Sequence, residues 1–377
     1  MDPAGGGPIE GIRQIGTSLI SAGHSVEVAS LDAPDASYLK ECPLPVHALG
    51  PGAFKYAFSS RLIPWLRVNH SHYDAVVVNG VWQFHSFGAW RALRNSGTPY
   101  VVFTHGMLDP WFKKRYPIKH VKKWMYWPWA EYRVLRDASA VLFTCEEERR
   151  LARQSFWLYR CNEVVVHYGT AKPIGDPQGE RQEFFSRYPE LRDKKLALFM
   201  GRIHPKKGCD LLIEAFAKVL VAQSEWYLVV AGPDQVGWQS GLQRRAQELG
   251  IASRITWTGM ISGAIKWGAL RAAEVFVLPS HQENFGIVVA EALAAGVPAL
   301  ISNKVNIWRE IQFAGAGIVG EDSIAGASEC LRSYLDLPEE KKLAMRHAAR
   351  RCFEQKFEIQ QVAQNLQMIL TSLTGVN

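Results

Sequence analysis

The sequence predicts an α/β protein made of two doubly wound parallel-sheet domains facing one another across a cleft, and three observations carry that expectation. Short valine-rich runs, apolar on both faces, alternate with helical segments, as parallel strands do when helices cover both sides of a sheet. The alternation stops at a stretch rich in proline and glycine and then starts again. The chain has 377 residues, more than one compact core usually holds.

Gly5-Gly6-Gly7-Pro8 leads into a helix with Ile12, Ile15 and Leu19 on one face and Gly23 past its end. Strands follow at 25–30, 75–78, 100–104, 138–144 and 164–167, giving a first domain over 1–168. Residues 169–194, with Pro173, Gly175, Pro177 and Gly179, have linker composition. The second alternation starts with a strand ending at Met200 and an amphipathic helix over 209–221. It continues with strands at 226–231, 255–258, 275–278, 298–301 and 317–319, filling a second domain over 195–355. Amphipathic helices close the chain at 339–357 and 359–373. One element is short of the pattern: a doubly wound domain has a central strand ahead of its first glycine loop, and only four residues precede these glycines. The expectation is that this sequence starts late and lacks that strand.

Composition narrows the class. At 47% hydrophobic and 21% charged, the chain is globular rather than disordered. Its six cysteines form no Cys-x-x-Cys pair and read as reduced thiols, not as a zinc site or a disulfide framework. No apolar run reaches the ~18 residues of a membrane-spanning helix, and the N-terminus is not a signal peptide, so a cytoplasmic location is expected. A formal net charge of +7 points to an anionic partner.

Two segments carry the chemistry. Between the strand at 275–278 and the one at 298–301 lies a helix over 287–295, bracketed by Glu283 in the loop and Glu291 eight residues later. Backbone N–H groups of Asn284, Phe285, Gly286 and Ile287 lie at that helix's positive end, where an anion is stabilised. Taken alone, Glu283 and Glu291 read first as ordinary surface charges on a core helix. The second segment, Gly201-Arg202-Ile203-His204-Pro205-Lys206-Lys207-Gly208, places Arg202 and Lys207 at a strand end in the same domain, where two cations can neutralise a diphosphate. A third candidate, His105, directly follows the strand at 100–104.

Together these motifs resemble the retaining glycosyltransferases of family 4, whose two Rossmann-like domains form the GT-B fold. The resemblance implies that Arg202 and Lys207 hold a donor diphosphate, with Gly6 and Gly7 against it. It further implies that Glu283 contacts the donor sugar and Glu291 the nucleotide ribose, and that His105 lines the acceptor side, positioning and stabilising charge. A UDP- or GDP-sugar donor, a polysaccharide or lipid-linked saccharide acceptor of a bacterial cell envelope, and transfer without cofactor or metal are implied with it. So is a terminal helix, 356–377, that crosses back to the first domain. Two alternatives stay open: a sugar-nucleotide epimerase of related fold, and a catalytically idle nucleotide-binding or membrane-associated scaffold.

Residues 111–133 have the most unusual composition. Lys113, Lys114, Arg115, Lys119, Lys122, Lys123 and Arg133 stand against the single acid Glu131, interleaved with tryptophan and tyrosine. The mixture suits an anionic membrane surface at the inner face of the cell membrane, or a lipid-diphosphate acceptor. A solvated basic helix with inward tryptophans fits as well, whereas no nucleic-acid reader module is present. Pro128 predicts a kink or two short helices there.

Overall fold

The computed structural model describes residues 1–2, 6–220 and 222–375, apart from the side chain of Lys114. Gly5 of the glycine run and Val221, the expected end of the helix after Gly208, lie outside the described residues. The chain divides into two compact units, Met1–Ala171 with Ile359–Asn377, and Lys172–Glu358.

In the first unit β1 (Val28–Ser30) pairs in parallel with β2 (Val46–Ala48). A separate parallel sheet holds β3 (Val76–Asn79), β4 (Tyr100–Phe103), β5 (Ala140–Phe143) and β6 (Glu163–Val165) in that order. Every residue of β4 and β5 is buried, which is why both read as unbroken apolar runs. β2 was not expected: three half-buried residues just after Pro45 give no run to detect. No described residue ahead of Gly7 is in a strand.

The first helix, Gly7–Ser21, starts from Gly6, whose φ of 72° is open to glycine at little cost. It packs along the terminal helix Ile359–Thr374 within this unit. Gly11 allows a close approach, since a Cβ there would meet the Tyr168 hydroxyl at 1.5 Å. That hydroxyl donates to the carbonyl of Gly7 at 2.8 Å, tying the start of the helix to the segment after β6.

Between β4 and β5 the chain forms three short helices, Trp111–Arg115, Pro117–Tyr126 and Glu131–Asp137. The interruption expected at Pro128 is present, and Pro117 begins a further helix of its own. Trp127 is fully buried and stacks on Phe156 with centroids 4.2 Å apart. Glu131 is also fully buried; one carboxylate oxygen accepts from the Trp82 N–H at 2.8 Å and the Ser86 hydroxyl at 3.0 Å, and the other has no hydrogen-bond partner.

The second unit holds one parallel sheet of β7 (Lys195–Met200), β8 (Trp226–Ala231), β9 (Ile255–Gly259), β10 (Ala273–Leu278), β11 (Ala299–Ser302) and β12 (Gly317–Gly320). Their order is β12-β11-β10-β7-β8-β9, so winding runs outward in both directions from the β7–β10 neighbours. In such sheets ligands bind outside the carboxyl ends of the strands at that reversal.

Residues 169–194 need a correction. They include the helix Pro177–Arg187, because Pro177 sits at the first helical position and Asp176 caps it, accepting from the Gly179 N–H at 2.7 Å. This helix packs on Gly263–Ala272 in the second unit, and Glu180 pairs with Arg271 at 2.6 Å.

Burial pushes the Glu131 carboxyl up to about 7 from an ordinary 4.5. The folded chain therefore holds this proton where the unfolded chain has lost it, and the group's contribution to stability falls as pH rises from 4.5 through 7. Glu131→Gln keeps the accepting oxygen and cannot ionise. Its stability relative to the natural chain should rise by about 3 kcal/mol between pH 4.5 and 8 in urea denaturation, and a difference that stays constant with pH would contradict the assignment.

Candidate functional site

The second unit brings Lys207 and Glu283 together at the reversal point. Lys207 lies in the loop after β7 and Glu283 in the loop after β10, and the Lys207 ammonium donates to the Glu283 carboxylate. Neighbouring contacts fix both loops. The His281 N–H donates to the Lys206 carbonyl at 2.9 Å, and Gly208 packs so close that a Cβ there would stand 2.3 Å from the Pro279 carbonyl oxygen. Glu283 is further tied to the turn after β11: its N–H donates to Lys304 and its carbonyl accepts from Asn306, each at 2.9 Å.

Burial, and then the Lys206 and Arg202 cations, pull the Lys207 ammonium below the usual lysine range, and the Glu283 carboxylate is the anion that faces it. Arg202 is exposed, and its guanidinium donates to the Gln235 side chain at 3.2 Å. The sequence reading gave Lys207 and Glu283 separate ligand contacts, and the structure adds that they are each other's partner.

Gly286, with φ 74°, precedes the helix Ile287–Ala294 and lets the backbone turn into it. The Asn284 side chain accepts from Asn306 at 3.3 Å, and the Phe285 ring is buried against Phe357, leaving only its backbone for a ligand. Glu291 is nearly buried in the helix and pairs with Lys266 at 2.8 Å. Lys266 belongs to no motif, and nothing in the sequence marks it as a partner of Glu291.

In the first unit His105 follows β4 with a left-handed φ of 47°, sparsely populated for a residue with a Cβ. Its ring stacks on Phe103 at 5.2 Å and meets Tyr168 edge-on at 5.6 Å, so Gly7 and His105 are joined through one tyrosine. Nε2 lies 3.0 Å from the Asn79 side-chain oxygen at the end of β3, an acceptor that sets Nε2 as the protonated nitrogen. Buried Glu148, which the sequence reading missed, holds this loop. It accepts from the Thr104 hydroxyl at 2.6 Å and the Gly106 N–H at 2.5 Å, while its other oxygen takes the Thr144 N–H and hydroxyl after β5. Burial, aided by His85, lowers the His105 imidazole to about 4. An imidazole that low is neutral at pH 7, so what it offers a ligand is hydrogen bonding.

Two family models match the chain, "Glycosyl transferase 4-like domain" over residues 6–169 and "Glycosyl transferases group 1" over residues 180–351. A D-inositol 3-phosphate glycosyltransferase from Streptomyces avermitilis is 31% identical over 234 residues, 59% of this chain and 50% of that protein. The enzyme of that name from Mycobacterium marinum is 31% identical over 175 residues, 45% of this chain and 36% of that one. The chain thus matches half or less of the length of these curated relatives. Among solved structures, sucrose-phosphate synthase from Thermosynechococcus elongatus superposes with a TM-score of 0.75 at 18% identity, covering 99% of this chain and 94% of that one. Anabaena HepE in complex with UDP gives a TM-score of 0.77 at 16% identity over 98% and 97%. At these identities the likeness is one of fold.

Gly208→Ala tests how closely the loops after β7 and β10 must approach. The φ of 69° and the Pro279 carbonyl both oppose a methyl group, and a loss of roughly 1–3 kcal/mol in urea denaturation is expected. An unchanged midpoint would show that the two loops yield freely.

Proposed function

Because the chain belongs to the group 1 glycosyl transferases, we propose that it moves a sugar from a nucleotide-sugar donor to a saccharide acceptor with retention at the anomeric carbon. The observation that carries this reading is the Lys207–Glu283 pair at the carboxyl ends of β7 and β10, with Arg202 near enough to act on Lys207. HepE, similar in fold, was solved with UDP and with UDP-glucose, and a UDP-sugar is the donor we favour over a GDP-sugar. The acceptor in this reading is a polysaccharide or lipid-linked saccharide met at a membrane surface.

Arg202 and Lys207 then bind the diphosphate and stabilise it as it departs, a positive field that serves without a metal ion. The diphosphate takes over Lys207, and the carboxylate of Glu283 is released to accept hydrogen bonds from hydroxyls of the donor sugar. Glu291, held by Lys266, accepts from the ribose hydroxyls, and the N-terminus of Ile287–Ala294 faces the phosphates. As the bond from the anomeric carbon to the diphosphate breaks, the acceptor oxygen bonds that carbon on the same face. Its proton passes to the departing diphosphate oxygen, and no protein nucleophile is needed. Neutral His105 orients the acceptor by hydrogen bonding.

Thermal unfolding with UDP, GDP and ADP tests the donor site. A nucleotide at ~100 times its dissociation constant stabilises the fold by roughly 2.7 kcal/mol, and UDP is expected to raise the midpoint most. No shift with any of them would remove the donor site. Glu283→Gln should lower transfer at least ~100-fold while keeping the UDP shift, and unchanged turnover would end the role given to Glu283.

A further inference from the structure

The helix Pro117–Tyr126 has no buried residue, although it joins two well-packed parts of the first unit. Its inward side is held by a few contacts. The Lys123 ammonium lies 4.3 Å from the Trp82 ring centroid, His120 stacks on Phe156 at 5.0 Å, and the Tyr126 hydroxyl meets that of Tyr56. At 100° per residue these three positions point one way, and Ile118, Val121 and Met125 point the other. The outer residues are 78%, 57% and 59% exposed. Trp124 and Trp157, 6.4 Å apart, widen the apolar face, and Trp129 is exposed just beyond the helix.

Charge selects what covers such a face. Lys113, Arg115, Lys119 and Lys122 are exposed around it. The single acid of residues 111–133, Glu131, is buried beneath. The segment therefore presents apolar side chains ringed by positive charge and exposes no carboxylate. A second copy docking the same face would bring like charges together, which disfavours a symmetric pair. A nucleic acid would leave Ile118, Val121 and Met125 against water or phosphate. An anionic bilayer satisfies both parts, with apolar side chains entering the headgroup boundary and lysines meeting lipid phosphates.

We propose that the helix Pro117–Tyr126, with Trp124, Trp129 and Trp157, lies in the plane of an anionic membrane and docks the first unit on it. The helix is anchored through Lys123 to Trp82, whose N–H and indole bind Glu131 and the Met107 carbonyl at 2.8 and 3.0 Å. Trp82 and His105 thus belong to loops that follow neighbouring strands β3 and β4, so the docked surface and His105 share one edge of that sheet. A lipid-borne acceptor would be met at this edge, a link that rests on the proposed transferase reading; the docking itself does not.

The test is co-sedimentation of the full chain with vesicles of phosphatidylcholine alone or mixed equally with phosphatidylglycerol. Binding is expected to the mixed vesicles, at least ~10-fold weaker to phosphatidylcholine alone, and weakened by 0.5 M salt. Val121→Glu with Met125→Glu should abolish the binding, and Lys119→Glu with Lys122→Glu should reduce it at least ~10-fold. Both double variants should keep the natural melting temperature and UDP response, showing that fold and donor site are intact. The proposal is overturned if mixed vesicles do not pellet the protein, if both vesicle types bind alike, or if the variants bind as the natural chain does. It is equally overturned if the Val121/Met125 change instead dissolves a concentration-dependent dimer, or if single-stranded DNA binds and mixed vesicles do not.

Discussion

The candidate site depends on one contact, the ion pair between Lys207 and Glu283. It closes the reversal point of the six-stranded sheet by joining the loop after β7 to the loop after β10. Backbone hydrogen bonds from Glu283 extend the tie to the turn after β11. A partly buried ammonium with two cations for neighbours is unfavourable unless an anion faces it, and Glu283 supplies that anion. A diphosphate brings a competing anion. Exchange of one anion for the other releases a carboxylate where sugar hydroxyls would need an acceptor, so in this account binding the donor also completes the site.

The first unit uses buried carboxylates in a comparable way. Glu148 gathers donors from the loops after β4 and β5, and Glu131 gathers them from Trp82 and Ser86. The loops after β3 and β4 each hold a residue in a left-handed conformation, Trp82 at 77° and His105 at 47°, which bulky side chains adopt only when their surroundings impose it. The two acids differ in their surroundings. Glu148 has both oxygens engaged, whereas Glu131 keeps one oxygen unbonded, and burial raises its carboxyl to about 7.

Much of this was legible in the residues because parallel strands buried on both faces announce themselves as apolar runs. All six strands of the second unit coincide with segments marked in the sequence, although the outer strands β9 and β12 are largely half-buried, and Pro128 marked a real interruption between helices. β2 escaped because three half-buried residues beside prolines carry no periodicity. The linker reading of 169–194 failed because Pro177 starts a helix there, and proline composition alone does not distinguish a helix start from a coil. At the site, motif spacing named Arg202, Lys207, Glu283 and Glu291, but partners brought in from distant elements were invisible: Lys266 for Glu291, Asn79 and Glu148 for the His105 loop. The protonation of His105 was not legible either, because burial, which sequence position does not disclose, sets it.

The central claim is that Lys207 exchanges its carboxylate for a diphosphate. Calorimetric titration of UDP into the natural chain and into Lys207→Ala addresses it most directly. The account predicts at least ~10-fold weaker binding by the variant. Equal affinity for the two proteins would contradict it.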